Sequence, residues 1–290
     1  MPELPEVEHL RLSLLPRLLG RTFTVARVHR RDVVVAPGDP PGGFARAKST
    51  ARPRRLDAVS LLVGAPIAEL RRTGKQLAII ADDGRTACIH LGMSGQLRWH
   101  APDGNRRNAT HEHLTWRLDD DSTLVFRDPR RFGGIWVFPS IAALQTSRWS
   151  TLGPDALSIT PDALSAGLLN SERPLKAALL DQSVIAGVGN IYADEALFMS
   201  RISPVRAASA LHRKEVESLV ASIRKIMLAS INAGGSSLRD YLDGDGNRGE
   251  NQRGFAVYGR GGEPCIRCST PLASMRVAQR ATVMCRTCQR

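Results

Sequence analysis

The end of the chain is its most constrained part. Cys265-x-x-Cys268 is followed, after sixteen residues, by Cys285-x-x-Cys288, and only Cys88 stands apart. Each pair can present two thiolates to one ion from a tight turn, and two pairs complete a closed tetrahedral site. With all four positions filled by protein the metal has a structural role, and this donor set points to one zinc ion. Between the pairs, Met275–Val277 and Ala281–Met284 read as strands of a β-hairpin with Gln279 and Arg280 at or near its tip. A cation there is placed for a phosphate or a groove, or is an ordinary exposed arginine. Cys88 lies in an apolar run and reads as a buried small hydrophobe.

Charge narrows the partner. The chain of 290 residues carries 40 Lys+Arg against 28 Asp+Glu, a net +12. Such a surplus favours a polyanion, nucleic acid first and an acidic membrane surface second, over mere solubilising charge. No apolar run is long enough to span a bilayer, so a membrane protein is not expected. The opening Met-Pro-Glu-Leu-Pro-Glu-Val-Glu is acidic where a secretory leader is basic. The expectation is a monomeric protein of the cytoplasm, associated with the nucleoid through its partner.

The period of the apolar residues changes part-way along. After a short N-terminal helix opened by Pro5, the chain reads as strands up to about Phe138: Thr22–Val28, Gln76–Ile80, Thr86–Leu91, and His113–Leu118 with Thr123–Phe126 around an Asp-rich turn. Pro37–Gly43 and the basic stretch Arg46–Arg55 read as a long mobile loop, with a second DNA-binding arm as the alternative. From Thr160-Pro161-Asp162, a cap followed by proline at the first helical position, the pattern is helical. Val216, Leu219, Val220, Ile223, Ile226, Met227 and Ile231 form one stripe ending at Gly234-Gly235. Asp243–Gly254 is polar and glycine-rich and reads as a flexible loop. The expected class is α+β, divided into a β domain (1–139), a linker (140–159), a helical domain (160–257) and a metal-bound appendix (258–290).

Three further segments can carry chemistry. Loss of Met1 gives Pro2 a free secondary amine; an α-amine has a pKa near 8, low enough to attack an electrophilic carbon and form an iminium. Glu3 beside it is a possible proton donor. The competing reading is an acidic, proline-started helix with Glu6 and Glu8 in its first turn. Gly187-Val188-Gly189-Asn190 allows a tight turn with Asn190 as cap, and free amides at that helix start suit a DNA phosphate; a plain inter-helix turn fits equally well. Asp128-Pro129-Arg130-Arg131-Phe132-Gly133 puts cations and an aromatic on one turn, able to enter a duplex or to form a salt-bridged surface turn. His111 and His113 share an expected strand face, but no third ligand joins them.

Taken together, these segments resemble the formamidopyrimidine-DNA glycosylase family through nearly the whole chain. The carrying residues are the opening Pro-Glu-Leu-Pro-Glu-Val-Glu, His90-Leu-Gly-Met93-Ser-Gly, Asp-Pro-Arg130-Arg-Phe132-Gly, Gly-Val-Gly-Asn190-Ile-Tyr-Ala-Asp-Glu, and the Cys₄ hairpin ending Gln-Arg280-Ala-Thr. The resemblance implies an N-terminal β-sandwich, a helix–two-turn–helix domain and a zinc finger, with duplex DNA in the cleft between the first two. It implies excision of oxidised purines (8-oxoguanine and formamidopyrimidines) and strand cleavage at the resulting abasic site by β,δ-elimination. In that scheme Pro2 attacks C1′, Glu3 assists as acid, Glu6 shapes the pocket, Lys75 serves β-elimination and Arg280 δ-elimination. Lys75, His90, Asn190 and Arg280 grip phosphates; Met93, Arg130 and Phe132 fill the void left by the flipped nucleotide; His111 contacts DNA.

The likeness has departures. Pro37–Arg55 is longer than is usual for the family, Ser171 stands where some members carry a DNA-contacting lysine, and Asn251 stands in the lesion-covering loop where an aromatic is common. Two other functions compete: an endonuclease VIII-like enzyme for oxidised pyrimidines, and a non-catalytic DNA-binding zinc protein. The second has no need of the Pro-Glu start.

Overall fold

The computed structural model describes residues 2–35, 61–102 and 110–290. The segments read as a mobile loop, Pro37–Gly43 and Arg46–Arg55, lie outside them. The chain divides into two compact units: Met1–Pro2, Glu6–Thr151 and Gly234–Glu250 form one, and Glu3–Pro5, Leu152–Ala233 and Asn251–Arg290 the other.

The first unit is a sandwich of two sheets. Its elements are α1 (Leu4–Leu18), β1 (Phe23–Val28), β2 (Val34–Val35), β3 (Ile67–Thr73), β4 (Gln76–Ala81), β5 (Thr86–His90), β6 (Gln96–His100), β7 (Glu112–Leu118), β8 (Thr123–Arg127), β9 (Gly134–Phe138) and α2 (Ile141–Ser147). One sheet has the order β1-β7-β8-β6 and is antiparallel; the other runs β2-β9-β5-β4-β3, with only the β2–β9 pair parallel. Alternation drives the layering: Leu114, Trp116 and Leu118 of β7 face Leu77, Ile79 and Ile89 of β4 and β5 in one core. Phe23 and Trp116 stack there at 5.4 Å. From α1, Val7, Leu10, Leu14 and Leu18 join the same core at helical spacing. Each such fully buried aliphatic contributes roughly 1.5–3 kcal/mol relative to exposure.

The second unit is helical apart from one hairpin. It contains α3 (Pro161–Leu168), α4 (Leu175–Leu180), α5 (Asn190–Met199), α6 (Arg213–Asn232), β10 (Ala273–Val277) and β11 (Arg280–Met284). The expected start at Thr160 is correct: its side chain accepts from the Ala163 amide at 3.2 Å, with Pro161 at the first helical position. The stripe on α6 packs against Leu175, Leu179, Tyr192 and Leu197. The helix ends where Gly234 and Gly235 take φ of +80° and +81°. Helix begins earlier than the sequence pattern suggests, since α2 is capped by Ser140 accepting from Ala143.

Candidate active site and metal centre

In the first unit, Glu6 is buried and its Oε1 accepts from the Ser236 amide at 2.8 Å, while Tyr241 donates its hydroxyl to the Glu6 carbonyl at 3.0 Å. Burial, then the charges of Glu6 and Asp243, holds the Tyr241 phenol well above its ordinary pKa, so it remains a donor. Pro2 is buried as well. Lys75 sits in the two-residue turn joining β3 to β4, after Gly74 at φ +55°, and is only 9 % exposed.

Met93 and the Arg130–Phe132 turn lie on two loops that brace each other. The Ser94 hydroxyl donates to Asp128 Oδ1 at 2.6 Å and accepts from the Arg130 amide at 3.1 Å; Gly133 N–H donates to Asp128 Oδ2 at 2.7 Å. The Asp128 carboxylate is thus engaged in shaping the turn, while the ion pair on this turn joins Arg131 to Asp32 at 3.2 Å. Gly92 makes the approach possible: at φ +62°, a Cβ there would lie 2.4 Å from the Phe132 carbonyl carbon. The brace leaves the side chains of Met93 and Arg130 exposed, with the Arg130 guanidinium 4.8 Å from the centroid of the Phe132 ring. An exposed methionine, arginine and half-buried phenylalanine on fixed backbone can enter a base stack.

In the second unit, Glu3 is 2 % exposed and its Oε1 accepts from the Ile191 amide at 2.9 Å, at the start of α5. The helix dipole favours this carboxylate. A Cβ on Gly189 would lie 2.3 Å from the Glu3 carboxyl carbon, so the glycine is required by the close approach. The Ile191 amide at this helix start holds the protein's own Glu3 carboxylate. One expectation is corrected here. Asn190 is not the cap: Gly189 is, and Asn190 begins the helix with its Nδ2 donating to the Ala281 carbonyl at 3.0 Å.

That bond reaches the hairpin beside Arg280. Lys176, fully buried, donates to Ala281 O at 2.9 Å and to Thr282 Oγ1 at 2.8 Å and forms an ion pair with Asp194 Oδ1 at 2.7 Å, while Val283 N–H donates to Asp194 Oδ2 at 3.2 Å. Burial pushes the Asp194 carboxyl up to about 6, and the Lys176 ammonium opposes it. Sequence reasoning missed Lys176; the available signal was one lysine among Leu175, Ala177, Ala178 and Leu179. The hairpin tip is as expected. Ala278 and Gln279 take φ of +47° and +61° between Val277 and Arg280, a turn that suits the strand twist, and Arg280 is exposed.

The sulfurs of Cys265, Cys268, Cys285 and Cys288 all lie within 4.8 Å of one another, with Cys268–Cys285 at 3.5 Å and Cys265–Cys288 at 3.9 Å. A tetrahedron with Zn–S near 2.3 Å has edges of roughly 3.8 Å, so the residues fit one structural zinc. Cys265 and Cys285 share a small core with Phe198, Val257 and Leu272. Arg267 donates to the carbonyls of Phe198 and Met199 at the end of α5, at 2.7 and 3.1 Å, binding the knuckle to the helix that starts at Asn190.

Comparison with known proteins agrees with this arrangement along the sequence. Residues 1–135 match the family model for the formamidopyrimidine-DNA glycosylase N-terminal domain, 152–241 the H2TH domain of the same glycosylase, and 262–290 the zinc finger found in FPG and IleRS. The chain belongs to the formamidopyrimidine-DNA glycosylase family. The formamidopyrimidine-DNA glycosylase of Chloroflexus aurantiacus is 40 % identical, over all of this chain and 98 % of its own. The crystal structure of MutM (Fpg) from Thermus thermophilus superposes with a TM-score of 0.82 at 36 % identity, covering 99 % of this chain and 98 % of that one. A Lactococcus lactis Fpg mutant in complex with Fapy-dG-containing DNA gives 0.83 at 31 % identity, covering 99 % of both.

Two further placements differ from the sequence reading. His111 is not on a strand face with His113: it occupies an exposed left-handed turn at φ +70° before β7, and His113 is buried with Nε2 2.8 Å from Asp128 O. Those two do not form a ligand pair. Cys88 is buried as expected, yet its thiol donates to Gln76 Oε1 at 3.3 Å, and burial raises its pKa to about 12. The glycine-rich loop is hydrogen-bonded along its length. Asp243 Oδ1 accepts from the amides of Asp245 and Asn247 at 3.0 and 2.7 Å, and Gly249 N–H donates to Ser237 Oγ at 2.9 Å. Asn251–Gly254 forms a turn of 3₁₀ helix. Ser171, the position of the missing lysine, accepts from Arg173 Nε at 3.4 Å.

Proposed function

We propose that this chain is a bifunctional DNA glycosylase and abasic-site lyase of base-excision repair, acting on 8-oxoguanine and formamidopyrimidines in duplex DNA. The observation that carries the reading is the anchored N-terminus: Glu3 is buried against the start of α5, so Pro2 cannot fray as a chain end ordinarily does. The Lactococcus lactis relative, matched over 99 % of its length, binds DNA containing Fapy-dG.

The Pro2 amine attacks C1′ of the damaged nucleoside. As the N–C1′ bond forms the glycosidic bond breaks, and the base leaves with a proton to which Glu3 has access. Opening of the sugar gives an iminium between Pro2 and C1′, which acidifies the neighbouring C2′ proton. Lys75 serves the β-elimination that expels the 3′ phosphate, and Arg280 the δ-elimination that expels the 5′ phosphate. Lys75, His90, Asn190 and Arg280 bind phosphates, Glu6 borders the base, and Met93, Arg130 and Phe132 replace the extruded nucleotide. His111 supplies a further DNA contact. Extrusion costs a few kcal/mol, least for a damaged base, which these contacts offset. The zinc holds the hairpin that carries Arg280.

The domain limits that accompany this reading are 1–139, 160–257 and 258–290, with 140–159 between. No helix among the described residues is long and apolar enough to cross a membrane, and duplex DNA as substrate puts the protein in the cytoplasm at the nucleoid. Borohydride reduction on a panel of duplexes, each with one defined lesion, tests the proposal. An adduct mapped to Pro2 on oxidised-purine DNA is expected. An adduct on an internal lysine of the unmodified protein would refute it.

A further inference from the structure

His90 ends β5 with its side chain on a defined face of the five-stranded sheet. The ladder sets His90 opposite Gln76 on β4 and Gly134 on β9, and Cys88 opposite Ala78 and Trp136. Directly opposed residues share a face, so Gln76, Cys88, His90 and Trp136 lie on one side, away from the Leu77, Ile89 and Ile135 side chains of the core. The segment after α2 meets that side through Arg148. Its Nε donates to Gln76 Oε1 at 2.8 Å and its guanidinium carbon lies 3.6 Å from the centroid of the Trp136 ring. Gln76 Oε1 also accepts from Trp149 Nε1 and from the Cys88 thiol, each at 3.3 Å. Among the described residues, the partners of Arg148 are therefore an amide, an indole and a protonated thiol. None neutralises its charge.

His90 itself shows which form that charge leaves it. Its Nδ1 accepts from the Gly92 amide at 3.1 Å. A ring nitrogen that accepts carries no proton, so the proton is on Nε2, and an imidazolium would forfeit this bond. We propose that Arg148 is a positioning residue that holds His90 as a neutral Nε2–H donor. The inference rests on the reading above only in supposing that this N–H meets a DNA phosphate.

The groups facing the ring act in one direction. Burial is the largest influence, then the charge of Arg148, then that of Lys75, and together they press the His90 pKa down to about 3. On this face of β5 and β4 the neighbouring positions carry the neutral Cys88 thiol and the Gln76 amide, and Gly134 on β9 has no side chain. The consequence is a division of labour. Lys75 brings charge to a phosphate, while His90 brings a donor of fixed direction whose strength does not vary across neutral pH. The Gly92 turn that fixes Nδ1 is also the one that packs on Phe132, so orientation of the donor and of the void-filling loop share one backbone.

The test follows His90 ring nitrogens by NMR in the DNA-free, zinc-loaded full chain from pH 8 to pH 4.5. The wild type is expected to show one Nε2–H tautomer with no titration in that range. Arg148→Met, which keeps the stem over Trp136 and removes the charge, is expected to raise the His90 midpoint into the observed range, above pH 5. Arg148→Lys is expected to restore the wild-type behaviour. Duplex binding measured between pH 5 and pH 7 should gain a pH dependence in Arg148→Met that wild type and Arg148→Lys lack. Protonation of wild-type His90 above pH 5, a measurement that needs no variant, would overturn the proposal, as would an unmoved midpoint in a folded Arg148→Met. A His90→Ala protein that bound lesion DNA as tightly as wild type would instead overturn the phosphate contact, leaving the charge relation to be judged on the titration.

Discussion

Glu3 Oε1 stands 2.9 Å from the amide of Ile191, so residue 3 is held by the helix start at residues 189–191. A carboxylate so placed serves two ends: it complements the positive pole of α5, and it fixes the backbone next to Pro2. Glu3→Gln keeps the size and one acceptor but removes the charge. It is expected to lower stability by about 1 kcal/mol, the scale of a partly buried charge at a helix end, and to slow base release far more than that. Thermal melting and single-turnover excision, measured on one preparation, separate the two effects. Equal fractional losses in both would show that Glu3 acts only through the fold.

The zinc knuckle and Arg280 make separable contributions. Cys268→Ser is expected to lose zinc and duplex binding together, because a hairpin with so small a core folds on its metal. Arg280→Ala should keep one zinc per chain by elemental analysis and still bind more weakly. Metal-free protein that cut DNA at the normal rate would contradict this assignment.

Gly92→Ala tests the brace under Met93 and Phe132. The new Cβ would lie 2.4 Å from the Phe132 carbonyl carbon at a backbone φ of +62°, so either the turn or the Phe132 segment must move. A cost of roughly 2–4 kcal/mol is expected from overpacking plus the left-handed backbone. Gly254→Ala meets nothing within 4 Å and serves as the control. Melting temperatures and affinity for lesion duplex should both fall for the first variant and neither for the second.

Glu8 gives the acid limb of stability. Burial raises its carboxyl pKa, but hydrogen bonds and charge from Arg11 and Arg72, at 2.6 and 2.8 Å, outweigh it and hold the group below 4.5. A carboxyl with a depressed folded pKa stabilises above its unfolded value and loses that contribution as pH falls through the folded one. Glu8→Gln should therefore cost on the order of 1–2 kcal/mol at pH 7. The difference from wild type in denaturant melts should shrink below about pH 4, the reference range for a free carboxyl. A difference that grew on acidification would reverse the argument.

What could be read from the sequence was whatever is decided locally. Thr160-Pro161 is a cap wherever it occurs, the period of Val216–Ile231 is a property of one helix, and the Cys₄ spacing carries its own geometry. What could not be read depends on partners far away in sequence. Asn190 looked like a cap because Ser, Asp and Asn usually are, but Glu3, nearly two hundred positions earlier, supplies the acceptor and frees Asn190 for Ala281. His111 and His113 looked like face neighbours by the period of two, and a left-handed residue at His111 breaks that count. The Asp243–Gly254 segment looked loose because glycine was counted as freedom. There it serves close packing instead: a Cβ on Gly249 would lie 2.2 Å from the Gly235 carbonyl oxygen.

That last point bears on substrate choice. A loose covering loop would make 8-oxoguanine the more fragile substrate, since closure over one base is a route to discrimination. The root of this loop is instead tied by Asp243, whose carboxylate takes the amides of Asp245 and Asn247 and the Asn247 side chain, and lies 3.7 Å from His9. Asn251, lacking an aromatic, still begins a helical turn rather than free chain. Oxidised purines should therefore be excised faster than thymine glycol by the wild type. Asp243→Ala should release the loop root without touching Pro2 or Glu3. Its loss should fall mainly on 8-oxoguanine, by roughly tenfold, the equivalent of about 1.4 kcal/mol in the barrier, with formamidopyrimidine release nearly unchanged. Single-turnover rates on matched duplexes decide both points. An equal loss on all lesions would assign Asp243 to the fold alone, and faster release of thymine glycol than of either purine by the wild type would move the protein to the oxidised-pyrimidine reading.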